Sequence, residues 1–176
     1  MHKLLKKNSN KIGILGGTFD PPHLGHCYIS RIAIKKLKLK KILWIITKKN
    51  PLKSTPHLST KRRIELSKEI TKKDKKILIK YLDDKVKSVN TFDLLHYIKN
   101  RNKKSQLFFL IGADNLQKLH KWKKWKQIPK LAKIVVFPRK NYSINSAATK
   151  KLHNNDFIYI KAKKINISSS IIRKFW

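Results

Sequence analysis

The stretch Gly16-Gly17-Thr18-Phe19-Asp20-Pro21-Pro22-His23-Leu24-Gly25-His26 constrains the fold more than any other part of the chain. It follows a strand-like run, Lys11 to Leu15, and leads into a helix-like run from Cys27 to about Leu37. A strand, a glycine-rich turn and a helix start aim backbone N–H groups and the positive end of a helix dipole at one place, which makes a phosphate cradle. Gly16 and Gly17 permit positive φ and let the backbone approach a ligand with no Cβ in the way. Pro21 and Pro22 stiffen the turn and remove competing N–H donors. Gly25 suits a helix start pressed close against a phosphate. His23 and His26 share a face if helical, and either ring can donate to a phosphate oxygen. They also add mobile positive charge beside such a ligand. Two other readings stand beside this one: a structural turn with satisfied histidines, and a His-x-x-His metal pair. For the metal, no third or fourth ligand is arranged nearby.

The rest of the chain alternates strand-like and helix-like segments, which predicts an α/β domain with a mostly parallel sheet. Strands are expected at residues 41–46, 77–81, 106–111, 133–137 and 157–160. A loop with two prolines runs from Thr47 to Leu58. Ser59 or Thr60 can cap a helix to about Ile70, and a second helix with an apolar face spans Thr91 to Asn100. A short helical region carrying Trp122 and Trp125 follows Gly112. No internal repeat or linker is evident, so residues 1–176 read as one domain.

Composition removes several classes of function. No apolar run approaches the roughly 18 residues of a membrane span. The basic start, Met1 to Asn10, lacks the apolar stretch of a signal peptide. The single cysteine, Cys27, reads as a buried helix residue and fits a reducing cytoplasm. The formal charge of +35 invites a nucleic-acid reading. The excess is nearly all lysine spread along the chain with Ile and Asn, whereas specific readout favours clustered arginine. The charge therefore reads as background, and the lysines from Lys72 to Lys76 as a solvated turn.

Two later segments test the first. In Ile167-Ser168-Ser169-Ser170-Ile171-Ile172-Arg173 a serine run precedes a helix, and the arginine one turn on can fork onto a phosphate; alone, the run is an ordinary N-cap. In Ile111-Gly112-Ala113-Asp114-Asn115-Leu116, Trp122 stands ten residues after the glycine. A tryptophan face suits an electron-poor ring, and a carboxylate can accept from ribose hydroxyls. Trp122 could equally be core, as Trp125 is expected to be.

The first segment resembles the Gly-Gly-Thr-Phe-Asp-Pro-x-His-x-Gly-His signature of the nucleotidyltransferase superfamily, and the serine run resembles its second phosphate signature, Ile-Ser-x-Thr-x-Ile-Arg. The Gly112 segment with Trp122 is similar to that of bacterial nicotinate-nucleotide adenylyltransferases. The resemblance spans nearly the whole chain. It implies a Rossmann-like nucleotidyltransferase fold, a mostly parallel sheet flanked by helices. It implies transfer of AMP from ATP to nicotinate mononucleotide, giving nicotinate adenine dinucleotide and pyrophosphate in NAD biosynthesis. The partners implied are these two nucleotides, with Mg²⁺ carried mainly by phosphates and water, no protein metal ligands, no specific nucleic acid and no membrane.

Carried over residue by residue, the resemblance makes His23 and His26 catalytic. Gly16, Gly17, Thr18, Phe19, Gly25, Ser168, Ser169, Ser170 and Arg173 would bind ATP and its phosphates. Lys53, Thr91, Asp114, Trp122 and Arg139 would bind nicotinate mononucleotide. This chain departs from the pattern at Ser170, at Val89-Asn90 and at Lys123. The sequence also ends at Lys174-Phe175-Trp176, where the family continues into another helical segment. Pantetheine-phosphate adenylyltransferase is the alternative within the superfamily, and a basic nucleic-acid-binding protein on a retained nucleotide fold is the alternative outside it.

Overall fold

The computed structural model describes residues 10–52, 54–162 and 168–175. Its centre is a sheet of six strands in the order β3-β2-β1-β4-β5-β6, every pair parallel. The strands are β1 (Lys11–Gly17), β2 (Lys41–Ile46), β3 (Ile77–Tyr81), β4 (Gln106–Gly112), β5 (Lys133–Phe137) and β6 (Phe157–Tyr159). Three helices are substantial: α1 (Leu24–Leu37), α2 (Thr60–Ile70) and α4 (Thr91–Arg101). Single turns α3 (Asp83–Val86), α5 (Ala113–Leu116), α6 (Ile128–Leu131) and α7 (Ser169–Ile172) complete the set.

Strand side chains alternate between two cores, as a parallel sheet buried on both faces requires. Ile14, Ile45, Phe109, Ile111, Ile134 and Val136 pack on one face with Leu95 and Ile98 of α4, Leu116 and Ile128. Leu15, Ile42, Trp44, Ile46, Phe108, Leu110 and Val135 pack on the other with Cys27 and Ala33 of α1. Cys27 is the buried helix residue that its isolation suggested, and burial pushes its thiol pKa up. The chain steps outward from β1 to β2 and β3 on one side, then crosses back past β1 to β4 and continues outward to β5 and β6 on the other. The strand order therefore reverses between β1 and β4, where the loops diverge and a crevice opens at the carboxyl ends of the strands.

The expected elements are present, with shifted ends. β1 runs two residues further than its apolar stretch, so Gly16 and Gly17 are strand residues paired with Ile45 and Ile46. α1 begins at Leu24 rather than Cys27, β4 includes Gly112, and β6 ends at Tyr159. Ser59 does cap α2, accepting from the N–H of Arg62 at 3.2 Å. Residues 71–76 form turns with exposed lysines. The single turn α3 is an addition that the alternating pattern did not predict.

Gly13 shows how tightly β1 is held. A Cβ there would lie 2.7 Å from Ile42 Cγ1 and 2.8 Å from Leu39 Cδ1, both of them buried side chains. Gly13→Ala is expected to destabilise the protein by about 1–3 kcal/mol through overpacking, read as a lower midpoint in denaturant with an unchanged slope.

A phosphate cradle at the switch point

A cleft of about 750 Å³ opens at the reversal, lined from the β1 end by Gly16 to Asp20, His23, Gly25 and His26. The same cleft takes in Gly112, Asp114 and Trp122 after β4, Arg139 after β5, Thr91 at the start of α4, and Ser168, Ser169, Ser170 and Arg173. The structure thus gathers into one cavity the sequence-predicted site residues that it describes. Lys53 and Ile167 lie outside the described residues.

The glycines do not use the positive φ that they permit. Neither Gly16 nor Gly17 has positive φ; the left-handed residue is Phe19, at φ 50°. The two glycines are extended because they continue β1. Their value is space: a Cβ at Gly16 or Gly17 would meet no protein atom closer than 3.5 Å, so the protein does not itself fill that room. The unusual turn at Phe19 instead drives that ring inward. It is 3% exposed, stacked on Trp44 at 4.9 Å and tilted against His26 at 4.8 Å. Trp44 is anchored in turn by its Nε1–H to Ser30 Oγ at 2.9 Å. The ring of Phe19 thus packs as a buried wedge against His26, while Phe19 also lines the cleft.

The two histidines share a face, though only one is helical. His23 is the extended N-cap of α1 and His26 is its third residue, with ring centroids 3.8 Å apart. His23 N–H donates to His26 Nδ1 at 3.2 Å. Because Nδ1 accepts, the ring proton of neutral His26 is on Nε2. His23 differs in charge from expectation. Burial, helped by the nearby Arg139 guanidinium, lowers its pKa to about 4, so it is neutral near pH 7 rather than a mobile cation. Its Nδ1 is buried without a hydrogen-bond partner.

The C-terminal serines and arginine clasp the first loop. Ser168 Oγ caps α7, accepting from Ile171 N–H at 3.2 Å, which is the ordinary role of such a run. Ser169 Oγ donates to the Pro21 carbonyl at 2.8 Å. Arg173 was expected to fork onto a phosphate, but its guanidinium donates to the Asp20 carbonyl and reaches Ser170 Oγ at 3.5 Å. It also lies 3.7 Å from the Asp20 carboxylate. A guanidinium so close to a buried carboxylate is held by it.

At the β4 side of the cleft, Arg139 lies 3.4 Å from Asp114 Oδ2, while Asp114 Oδ1 is buried without a partner. Gly112 makes room for that oxygen, since a Cβ there would be 2.4 Å from it. Trp122 is half-buried, edge-on to Phe109 at 6.0 Å against the core, and borders the cleft. Trp125 packs on the core and does not line the cleft. Lys123 reaches across to Asp93 of α4 at 3.0 Å. Sequence reasoning missed two residues, Asp20 and Arg63. Asp20, 3% exposed, accepts from His57 N–H at 2.8 Å and Leu58 N–H at 2.9 Å. Arg63 is 1% exposed, and an arginine that follows Lys61 and Arg62 in a helix carries no sequence signal of burial.

Comparison with known proteins agrees with this geometry. The cytidylyltransferase-like family matches residues 14–175, and the chain belongs to it. Over 173 residues it is 46% identical to a Pelagibacter ubique (strain HTCC1062) protein named "Probable nicotinate-nucleotide adenylyltransferase", covering 97% of this chain and 96% of the other. An Aliarcobacter butzleri (strain RM4018) protein of the same name is 32% identical, covering 93% and 86%. Among solved structures, Plasmodium falciparum nicotinic acid mononucleotide adenylyltransferase complexed with NaAD superposes with a TM-score of 0.79 at 23% identity, covering 94% of this chain and 83% of that one. That likeness establishes the nucleotidyltransferase fold.

The neutral histidine sets a pH dependence. Unfolded, His23 binds a proton below about 6.5; folded, it resists until about 4. The unfolded state thus holds more protons in that window, and stability falls as pH drops through it. Unfolding free energies measured from pH 7 to 4 should decline less steeply for His23→Asn than for the wild type.

Proposed function

We propose that this chain transfers the adenylyl group of ATP to nicotinate mononucleotide, releasing pyrophosphate and forming nicotinate adenine dinucleotide. One observation carries the reading: the histidine–glycine cradle and the Trp122–Asp114–Arg139 group line one cleft at the switch point of the sheet. The names borne by relatives that match nearly the whole chain support it.

The acceptor phosphate attacks the α-phosphorus of ATP in line. A phosphate monoester is already anionic at neutral pH, so no side-chain nucleophile or base is required. Catalysis consists of positioning and of stabilising charge as it builds on pyrophosphate. His26, with its tautomer set by the His23 N–H, donates from Nε2 toward the phosphates. His23 enters the site neutral, and the approach of a polyanion favours its protonation. The space beside Gly16 and Gly17 admits phosphate oxygens, and Thr18, Gly25, Ser168, Ser169, Ser170 and Arg173 frame it. Trp122 stacks on the pyridine ring, Asp114 accepts from ribose, and Thr91 and Arg139 border the same end.

Magnesium enters as part of the substrate, coordinated by phosphate oxygens and water. Among the described residues no three His, Cys, Asp or Glu side chains converge on a point. The buried Cys27 supports a cytoplasmic location, and the dispersed lysines support the absence of a specific nucleic-acid partner. Among the described residues no helix is long and apolar enough to cross a membrane.

His26→Ala should lower kcat by about 10²–10³ if the ring donates in the transition state; a folded variant turning over like wild type would sink that role. Substrate choice is read by pyrophosphate release from Mg–ATP with nicotinate mononucleotide, nicotinamide mononucleotide or phosphopantetheine supplied separately. Strong release is expected with the first. Release with phosphopantetheine would keep the chemistry and overturn the acceptor.

A further inference from the structure

Arg63 lies one turn into α2 and does not itself line the cleft, yet its side chain bonds to residues that do. Its five N–H donors meet five acceptors. Nε donates to the Leu58 carbonyl at 3.0 Å. Nη1 donates to the carbonyls of Thr18 and Thr47 at 2.6 and 2.7 Å. Nη2 donates to the Lys48 carbonyl at 3.2 Å and to Thr60 Oγ1 at 2.9 Å. Thr18 belongs to the phosphate cradle. Thr47 and Lys48 begin the segment that leaves β2, and Leu58 ends it. Between those ends Asn50, Pro51 and Thr55 wall the cleft.

Two carboxylates reinforce the same joints. Asp20 accepts from His57 N–H and Leu58 N–H at one end. Asp83 accepts from Thr47 Oγ1 at 3.0 Å and Lys48 N–H at 2.6 Å at the other. Both carboxylates favour the charged guanidinium, opposing the burial that disfavours it. A planar fork with five donors satisfies these four carbonyls and one hydroxyl at once, which the three donors of a lysine ammonium cannot.

Building on the nucleotidyl-transfer reading, we propose that Arg63 is a positioning residue for substrate phosphates. It fixes the Thr18 end of the cradle against both ends of the 47–58 segment, so the two walls that face the phosphates keep one separation. Arg63 touches no substrate and acts only through these backbone carbonyls. A brace that served folding alone would lower stability without distinguishing one ligand from another. A positioning residue discriminates: the phosphate-bearing part of a ligand suffers and the nucleoside part does not.

The test compares Arg63→Lys with wild type in three readouts: thermal midpoint, affinities for ATP and for adenosine by calorimetry, and kcat and KM for pyrophosphate release. Arg63→Lys should melt lower and lose kcat/KM by ~10²-fold, the scale of a small misplacement of reacting groups. Its ATP affinity should fall while its adenosine affinity stays at the wild-type value. Equal losses for both ligands, or wild-type ATP binding in the folded variant, would overturn the proposal. If Arg63→Lys does not fold, Thr60→Val removes one acceptor of the fork and should show a smaller, still ATP-selective loss. ATP binding unchanged in that variant would overturn the proposal equally. A wild-type protein that binds ATP but forms no nicotinate adenine dinucleotide would defeat the functional reading alone, since the ATP-to-adenosine comparison still decides the role of Arg63.

Discussion

A phosphate site at the carboxyl edge of a parallel sheet demands polar backbone where the apolar core ends, and here Asp20 meets that demand. Its carboxylate is nearly inaccessible, and both oxygens are taken by backbone N–H groups from the loop before α2. Its main-chain carbonyl and carboxylate together hold Arg173 from the far end of the chain. One acidic residue thus ties the first phosphate segment to the second and to the wall between them. A buried carboxylate without such partners would cost several kcal/mol. The surrounding loops can be displaced only by paying that desolvation.

The site divides into groups that touch ligand space and groups that aim them. His26 faces the cleft, but Phe19, Trp44 and Ser30 form the line of contacts behind it, and the His23 N–H sets its tautomer. Asp114 faces the cleft because Gly112 leaves room for its carboxylate. Arg139 stands between the two sides, paired with Asp114 and close enough to His23 to help hold that ring neutral. Charge in the site is therefore arranged to be met by the substrate: a guanidinium partly compensated, one histidine neutral, and an acidic oxygen without a partner. An arriving nucleotide can change all three at once.

Much of this was legible in local pattern. Apolar runs such as Lys41–Ile46 and Lys133–Phe137 are strands because a sheet covered on both faces takes continuous hydrophobic segments. Ser59 and Ser168 cap helices through their own hydroxyls, a contact between residues three apart. Errors fell where a residue's role depended on something distant. Glycine suggested positive φ, yet hydrogen bonding to β2 keeps Gly16 and Gly17 extended and passes the turn to Phe19. No local pattern tells that Arg173 is met by a carbonyl and a buried carboxylate from the other end of the chain.

By itself the sequence determined the strand–helix alternation, the helix caps and the two segments that meet at the cleft, because periodicity, capping and turn chemistry act over a few neighbouring positions. The tertiary structure alone decided that these segments share one cleft, that His23 is neutral, and that Arg63 and Asp20 are its internal frame. Burial and charge pairing are set by residues brought together from distant parts of the chain, and neither desolvation nor a saturated guanidinium leaves a mark in local sequence.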